Sequence, residues 1–572
     1  MLTLQVNGSQ QLGDKVELEF QAFRLQQYEL NGNVVGSKHF RVQYEAESLN
    51  AKALRRCVVA SWRDLTDHNI DDVLSNSVGA LLIIIPSDPD ALSPADKTVC
   101  GVDHSLLPPR TTRLNSTFQQ FIELERKLAT VRTDLAVYVS HSSAEANAIL
   151  SDVQSASSLS KSATQQLFNS MAANTFQFTS TGSPSATPLT YKPNNIIGRL
   201  SSSERSAPTI AFVAHYDSHA PFPGVAVGAD SNGSGVVVLL ELLAIFRKLY
   251  EKASTRPPFN LIFVWTAAGK YNFQGARQFI EDFQSDNSED NRLELAICVE
   301  ALGGSGPLWM HASKQPADGS AADRLLRRLR LAAPNQSVEL VTKKISINQP
   351  SAWEHEKFNI KRLPAVTLSR LPSHDSPIRK SMLDTASRLS LDALEKNTRY
   401  GEAAPERTYW GGFHAICFRT IAEAVLGHML SLPEGGFTSD PRVSADTSVL
   451  SRDAVDRQRL AHAVRLFASR PRPVADEAAT VACAANLAVA VGNYVKVVTV
   501  SPVSMHEVQI WPGTSDRLMA ERVKPAVFDL IIAGGVFGYL AVFYYVSQKI
   551  LLLEDSSKVY AISECEKVEK NM

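Results

Sequence analysis

Between residues 15 and 50 the stretches VELEFQAFRLQQYEL and FRVQYEA alternate apolar and polar side chains with a period of two, which predicts strands paired as a hairpin. Residues 79–86 (GALLIIIP) form a short unbroken apolar run, the pattern of a buried strand. Residues 118–129 (FQQFIELERKLA) switch to helical spacing, and 136–139 read as another strand. Together these elements predict a small N-terminal α/β domain over residues 1–150. The Ser/Ala/Thr-rich stretch that follows lacks a clear period, so 151–194 reads as a linker or surface excursion.

From residue 195 strands and amphipathic helices alternate. Candidate strands cover 209–214, 260–266, 294–300, 337–341 and 364–368; candidate helices cover 234–252, 273–283 and 320–333. This alternation predicts an α/β domain with a largely parallel sheet over 195–435. In such a sheet the chemistry gathers at the C-terminal ends of the strands. Residues 436–520, with AVDRQRLAHAVRLFASR, read as a helical connector whose charges form a solvated face. Residues 525–546 (PAVFDLIIAGGVFGYLAVFYYV) carry one charge, Asp529, and about 22 residues suffice to cross a hydrocarbon core of roughly 30 Å. Gly534, Gly535 and Gly538 are poor soluble-helix formers but allow close approach of a second helix in a bilayer, and mark a candidate contact with a membrane partner. Lys549, Lys558, Lys567 and Lys570 favour a cytosolic tail over 547–572.

Composition narrows the function classes. The 572 residues are 44% hydrophobic and 20% charged, with a net charge of -1, which excludes wholesale disorder and a polytopic membrane protein. Near-neutrality gives no basic face for nucleic acid. Six scattered cysteines, without a CxxC pair, argue against a disulfide scaffold or zinc ribbon.

Candidate chemistry starts after the strand TIAFVA. His215-Tyr-Asp217 is followed by GADSNGSG (228–235), which leads into an apolar helix. HxD at a strand end with GADxNxSG at a helix start resembles the M28 zinc-peptidase family. The segments FRLQQYELNG, GADSNGSGVVVLLEL, GKYNFQGARQFIED, AWEHEKFNIKRLPAVTLS and RVKPAVFDL more closely resemble the nicalin family, nicastrin-like membrane proteins of the endoplasmic reticulum. The resemblance implies an M28 aminopeptidase-like three-layer α/β/α domain, a smaller N-terminal α/β domain and a C-terminal transmembrane helix, with most of the chain lumenal. It also implies an N-terminal secretory signal. MLTLQVNGSQQLGDKVELEF has no apolar h-region, so the chain is expected to start just after that signal.

Carried onto this sequence, the M28 pattern makes His215 and Glu300 ligands of one metal, Asp230 the bridging carboxylate and Asp217 the residue orienting His215. Glu300 stands where the family usually has Asp. His374 is expected as the histidine of the second metal, with His355 the alternative. Active members resemble one another in paired glutamates after the strand that corresponds to 260–266, as general base and metal ligand. Here Gly269 and Lys270 occupy those places. Glycine cannot take a proton from water, which forfeits about 10²–10⁴-fold in rate. An ammonium about 4 Å from a divalent ion repels it by on the order of 8 kcal/mol at an effective dielectric near 20. The site is therefore expected to be vestigial, with no catalytic residue, metal or other cofactor, and with Lys270 paired to Asp230 or Glu300.

Asn115, Asn232 and Asn335 begin glycosylation sequons, as does Asn7. A glycan on Asn232 would crowd the cleft; alternatively Asn232 is a residue of the helix N-terminus. Residues 400–419 have no counterpart in the nicalin pattern and read as an insertion, so His414 and Cys417 receive no role. The resemblance implies a non-catalytic scaffold in an endoplasmic reticulum membrane complex. Its implied partners are a Nodal modulator-like lumenal protein, a small multi-pass membrane protein and the Sec translocon. The implied tasks are multi-pass membrane protein biogenesis and restraint of Nodal signalling. The alternatives are a membrane-anchored zinc aminopeptidase and a nicastrin-like substrate receptor.

Overall fold

A computed structural model describes residues 17–49, 55–65, 67–75, 79–88, 109–158, 175–182, 187–285, 292–303, 307–332, 337–389, 414–429, 456–523 and 526–569. Its largest sheet has eight strands, in spatial order Val338–Thr342, Leu308–Ala312, Ala365–Ser369, Leu293–Val299, Thr209–His215, Asn260–Thr266, Asn194–Leu200 and Val498–Pro502. The four from Ala365–Ser369 to Asn260–Thr266 run parallel. They are almost purely apolar because both faces are covered. The helix Gly235–Glu251 packs on one face with Ala321–Ala332, His414–Met429, Arg457–Phe467 and Glu477–Gly492. Gln274–Ser285 and His355–Ile360 cover the other. This is the expected three-layer α/β/α arrangement. Three of its strands escape the sequence pattern, Val498–Pro502 within the expected connector and two others that are weakly marked. Asn194–Leu200 is interrupted by Gly198, where a Cβ would press on Val491, and Leu308–Ala312 (LWMHA) has no β-branched residue.

The N-terminal region closes into a barrel of seven strands: Glu17–Arg24, Ser515–Val523, Thr175–Ser180, Gln43–Ser48, Cys57–Ser61, Ala80–Ile85 and Ala136–His141. The hairpin expected over 15–50 is not formed as such. Glu17–Arg24 pairs with Ser515–Val523 and Ala136–His141, and Gln43–Ser48 pairs with Cys57–Ser61 and Thr175–Ser180. Period-two alternation specifies which face a strand buries, not which strand it pairs with. A tight hairpin does occur inside that stretch, between Tyr28–Leu30 and Asn33–Ser37. Asn31 and Gly32 turn it with φ of 52° and 80°, the left-handed pair of a type I′ turn.

Two further expectations need correction. The linker at 151–194 contains the end of the helix Ala144–Ser158 and the barrel strand Thr175–Ser180, whose Phe176 and Phe178 are fully buried. The connector at 436–520 is helical only in part. After Arg457–Phe467 and Glu477–Gly492 come Val498–Pro502, Val508–Ile510 and Ser515–Val523. These add one strand each to the large sheet, to a four-stranded sheet with Tyr28–Leu30, and to the barrel. Nor is the Arg-rich stretch a purely solvated face, because Arg459 donates to both oxygens of buried Glu241 at 2.9 and 2.5 Å. Of the expected insertion, 400–413 lies outside the described residues, and 414–419 begin the helix His414–Met429.

Three residues past the last barrel strand the helix Ala526–Glu569 begins. It is 44 residues long and continues through the expected tail, because LLLEDSSKVYAISECEKVE contains neither Gly nor Pro to stop it. Asp529–Ser563 is long and apolar enough to cross a membrane, and none of it is covered by the rest of the chain. The faces of Gly534, Gly535 and Gly538 are open.

Because all three sheets need a strand from beyond residue 497, a chain ended there should be recovered as aggregate. One ended at residue 524 should give a folded soluble monomer. Gel filtration with circular dichroism distinguishes them, and a well-folded product from the shorter chain contradicts this assignment.

Candidate functional site

The four parallel strands deliver their C-terminal residues to one edge. His215 ends Thr209–His215, Glu300 follows Leu293–Val299, Ala267–Lys270 follow Asn260–Thr266, and the loop after Ala365–Ser369 runs to Asp384. Strain collects here: Ala268, Asn272, Phe273 and Ala301 hold φ between 50° and 63°, a region non-glycine residues seldom enter. Asp230 lies in a π-type turn, Ala229–Ser234, that starts the helix Gly235–Glu251. That turn is capped by Asp384, which accepts the N–H groups of Asp230 at 2.9 Å and Ser231 at 2.8 Å. Burial raises the Asp384 carboxyl above its ordinary value, against those bonds. The loop carrying Asp384 is anchored in turn by buried Glu125 of the N-terminal region, which accepts from Ser381 Oγ at 2.5 Å and Met382 N–H at 2.7 Å.

The centre of the site is an ion cluster. Glu300 is 2% exposed, and Arg379 grips both its oxygens, Nε to Oε1 at 2.6 Å and Nη2 to Oε2 at 2.8 Å. Lys270 Nζ stands 3.4 Å from Glu300 Oε1 and 3.5 Å from the Ser231 carbonyl. Burial alone would raise the Glu300 carboxyl. Arg379, then Lys270 and His215, outweigh it and hold the group well below the carboxylate range. Burial lowers the Lys270 ammonium, with Glu300 opposing. Arg379 is fixed from behind by Trp353, whose ring lies 4.3 Å beneath its guanidinium. Of the two expected partners of Lys270, the structure selects Glu300. Arg379 and Asp384 were not legible in the sequence. They lie in SPIRKSMLDT, over 75 residues after Glu300 and outside any motif.

The remaining predicted residues fall as follows. Asp217 does not orient His215; its oxygens accept the N–H groups of Gly269 at 2.7 Å and Lys270 at 3.0 Å, which fixes that loop. Asp230 accepts the N–H of Gly303. His215 is 1% exposed, and neither ring nitrogen has a hydrogen-bond partner; Nδ1 is 3.7 Å from Glu354 Oε2. Gly269 lies against this ring, so closely that a Cβ there would overlap His215 Cβ and Cγ. His374 is partly exposed beside Asp375 at 3.2 Å, and His355 bonds Thr367 Oγ1 at 2.8 Å, so neither ring touches the Lys270–Glu300 pair. The glycosylation candidate Asn232 is buried, and its amide donates to the Tyr216 carbonyl at 3.0 Å. A glycan on that amide would not fit this packing, and Asn232 lies in the turn that starts the helix Gly235–Glu251. The Asn115 side chain and Asn335 lie outside the described residues.

A two-metal centre does not fit these residues. Both Glu300 oxygens are taken by Arg379, both Asp217 oxygens by backbone N–H groups, and an ammonium projects between the strands. Among the described residues no three His, Cys, Asp or Glu side chains converge as a metal needs. The arrangement can neutralise a buried carboxylate and rigidify four loops.

The sequence matches to known proteins agree with the fold. Residues 195–401 match the model of peptidase family M28. The chain is 48% identical to nicalin of Caenorhabditis elegans over 96% of this chain and 93% of that one. It is 31% identical to the BOS complex subunit NCLN of Homo sapiens over 94% and 90%. A crystal structure of the gamma-secretase component nicastrin aligns over 78% of each chain with a TM-score of 0.47 at 10% identity.

Replacing Arg379 with Ala leaves Glu300 buried with only the longer Lys270 contact, and should cost about 3–5 kcal/mol. The shift of the denaturation midpoint measures it, and a change below about 1 kcal/mol contradicts the cluster's role. Acid should also weaken the fold. Burial is the main force pushing His219 and His355 down to about 3 and His311 down to about 4. They are neutral when folded and take up protons near 6.5 when unfolded. Their contribution is therefore complete above 6.5 and is lost as pH falls from there toward 4 and 3. By pH 5 each can remove up to about 2 kcal/mol. A melting temperature unchanged between pH 7 and 5 would be the opposite outcome.

Proposed function

The chain belongs to the nicalin family, and on that basis we propose that it is a non-catalytic scaffold subunit of an endoplasmic reticulum membrane complex. The similar proteins named BOS complex subunits support membership of an assembly, and the apolar helix supports a membrane location. The domain faces the lumen, and the assembly contains a Nodal modulator-like lumenal protein and a small multi-pass membrane protein. It works beside the Sec translocon in multi-pass protein biogenesis, with restraint of Nodal signalling as a further outcome. The open face at Gly534, Gly535 and Gly538 is the contact with the membrane partner, since small residues let two helices approach.

One observation supports the non-catalytic reading: Lys270 and Arg379 bind the carboxylate of Glu300, a residue that the M28 pattern makes a metal ligand. Position 269, where the M28 pattern implies the general base, is a glycine with His215 packed over it. Neither a Lewis acid nor a base is then available to activate water. The alternative reading as a zinc aminopeptidase needs both of those groups.

Full-length protein purified from membranes in mild detergent should release no amino acid from aminoacyl-coumarin substrates, and should bring its membrane partners with it. Changing Gly534, Gly535 and Gly538 to Leu should reduce that recovery several-fold. Turnover that disappears in Asp230→Asn would establish the enzyme instead, and undiminished recovery of the Leu variant would remove the glycine face from the interface.

A further inference from the structure

The helices Gln274–Ser285 and His355–Ile360, the loop 343–351 and the hairpin turn at Asn31 enclose a cavity of about 310 Å³. Its walls include none of Lys270, Glu300 and Arg379, so it is separate from the strand-end cluster. The loop is held at both ends. Lys343 N–H meets the Ala312 carbonyl at 3.0 Å, and Ser351 N–H meets Asn272 Oδ1 at 2.8 Å. Between those anchors Ile347 lines the cavity while 90% exposed, and Ile360 lines it from the helix end at 47%. One exposed isoleucine is ordinary on a protein surface, but two on different elements around one preformed cavity mark a contact surface.

Charge is uneven over the same walls. Arg277, Lys357 and Lys361 face the two carboxylates Glu281 and Glu507. Arg277 takes both acids, with Nη1 2.7 Å from Glu507 Oε1 and Nε 3.1 Å from Glu281 Oε1. The second Glu507 oxygen accepts from Asn272 at 3.1 Å and Gln274 at 3.5 Å. Behind the lining, Lys343 and Glu356 cancel as a pair at 3.7 Å. Lys357 and Lys361 keep no ion pair and no side-chain hydrogen bond among the described residues. Burial lowers the half-buried Lys357 ammonium, with Glu507 opposing. The two lysines are four residues apart at the end of one helix, where like charges share a face and repel. An anion between them removes that repulsion.

We propose that this cavity receives an acidic, apolar segment of a partner polypeptide: a carboxylate lodges between Lys357 and Lys361, and the neighbouring apolar side chain packs on Ile347 and Ile360. The volume is at the small end of the roughly 300–1,000 Å³ typical of small-molecule sites. A compact ligand inside it would leave Ile347 in water, whereas a chain crossing the mouth covers it. Apolar anchors ringed by polar groups are the usual centre of a protein interface. A neutral segment would leave the two lysines unpaired, and a basic one would add to their repulsion. The site is independent of the vestigial cleft and of the glycine-bearing helix, and stands whether or not either has the role proposed above.

The test uses the full chain in detergent and three fluorescent peptides, N-acetylated and C-amidated, in which a Gly/Ser frame carries Asp-Leu-Asp, Asn-Leu-Asn or Asp-Gly-Asp. Fluorescence anisotropy should show the first binding saturably and about ten-fold or more tighter than each control. Lys361→Glu should abolish the preference over Asn-Leu-Asn, and Ile347→Ser the preference over Asp-Gly-Asp. Neither change should move the melting temperature, because both side chains are exposed. No saturable binding of the Asp-Leu-Asp peptide, equal binding of all three, or variants that discriminate as the parent does would overturn the proposal.

Discussion

Glu300 sits at the end of a central strand with almost no access to water, and a buried carboxylate is costly unless cations and hydrogen bonds surround it. Arg379 and Lys270 meet that requirement. Much else in the domain follows from it. The loop after Asn260–Thr266 has to bring Lys270 inward, so its backbone is tied by Asp217. The loop after Ala365–Ser369 has to bring Arg379 back across the strand ends, so it leans on Trp353 and is clamped at Ser381 and Met382 by Glu125. Remove the carboxylate and both loops lose their reason for this geometry.

The same clamp joins the two large parts of the molecule. Phe121, Ile122 and Leu128 from the helix Pro109–Thr130 share one apolar cluster with Ala220 and Phe222 of the His215 loop and with Met382 and Leu383. The segment from 498 to 523 then runs through all three sheets before entering the apolar helix at Ala526. Arg472, fully inside the protein, bonds the Tyr216 carbonyl at 2.9 Å, and its own N–H meets Ser218 Oγ at 2.8 Å. The strand that precedes the apolar helix is therefore built into the same fold as the site.

Local pattern made part of this legible. The parallel strands were readable because burial on both faces leaves an unbroken apolar run, and the GADSNGSG turn because its residue types and spacing are specific. Gly269 and Lys270 could be singled out through the resemblance to the M28 pattern. Strand partners in the barrel were not legible, because Glu17–Arg24 and Ser515–Val523 are some 500 residues apart and alternation carries no information on pairing. The C-terminal strands were hidden behind helix-forming sequence, and VTVSP is short and half exposed. Arg379 and Asp384 could not be found because an ion partner is selected by the folded path of a loop, with no spacing rule to mark it.

The central claim is that organic cations have taken the place of metal ions around Glu300. Its most direct measurement is the zinc content, by elemental mass spectrometry, of full-length protein purified without chelators and then supplied with zinc. The account predicts that zinc stays far below one ion per chain and that Glu300→Gln does not alter it. One or more tightly held ions per chain, lost on replacing His215, Asp230 or Glu300, would contradict it.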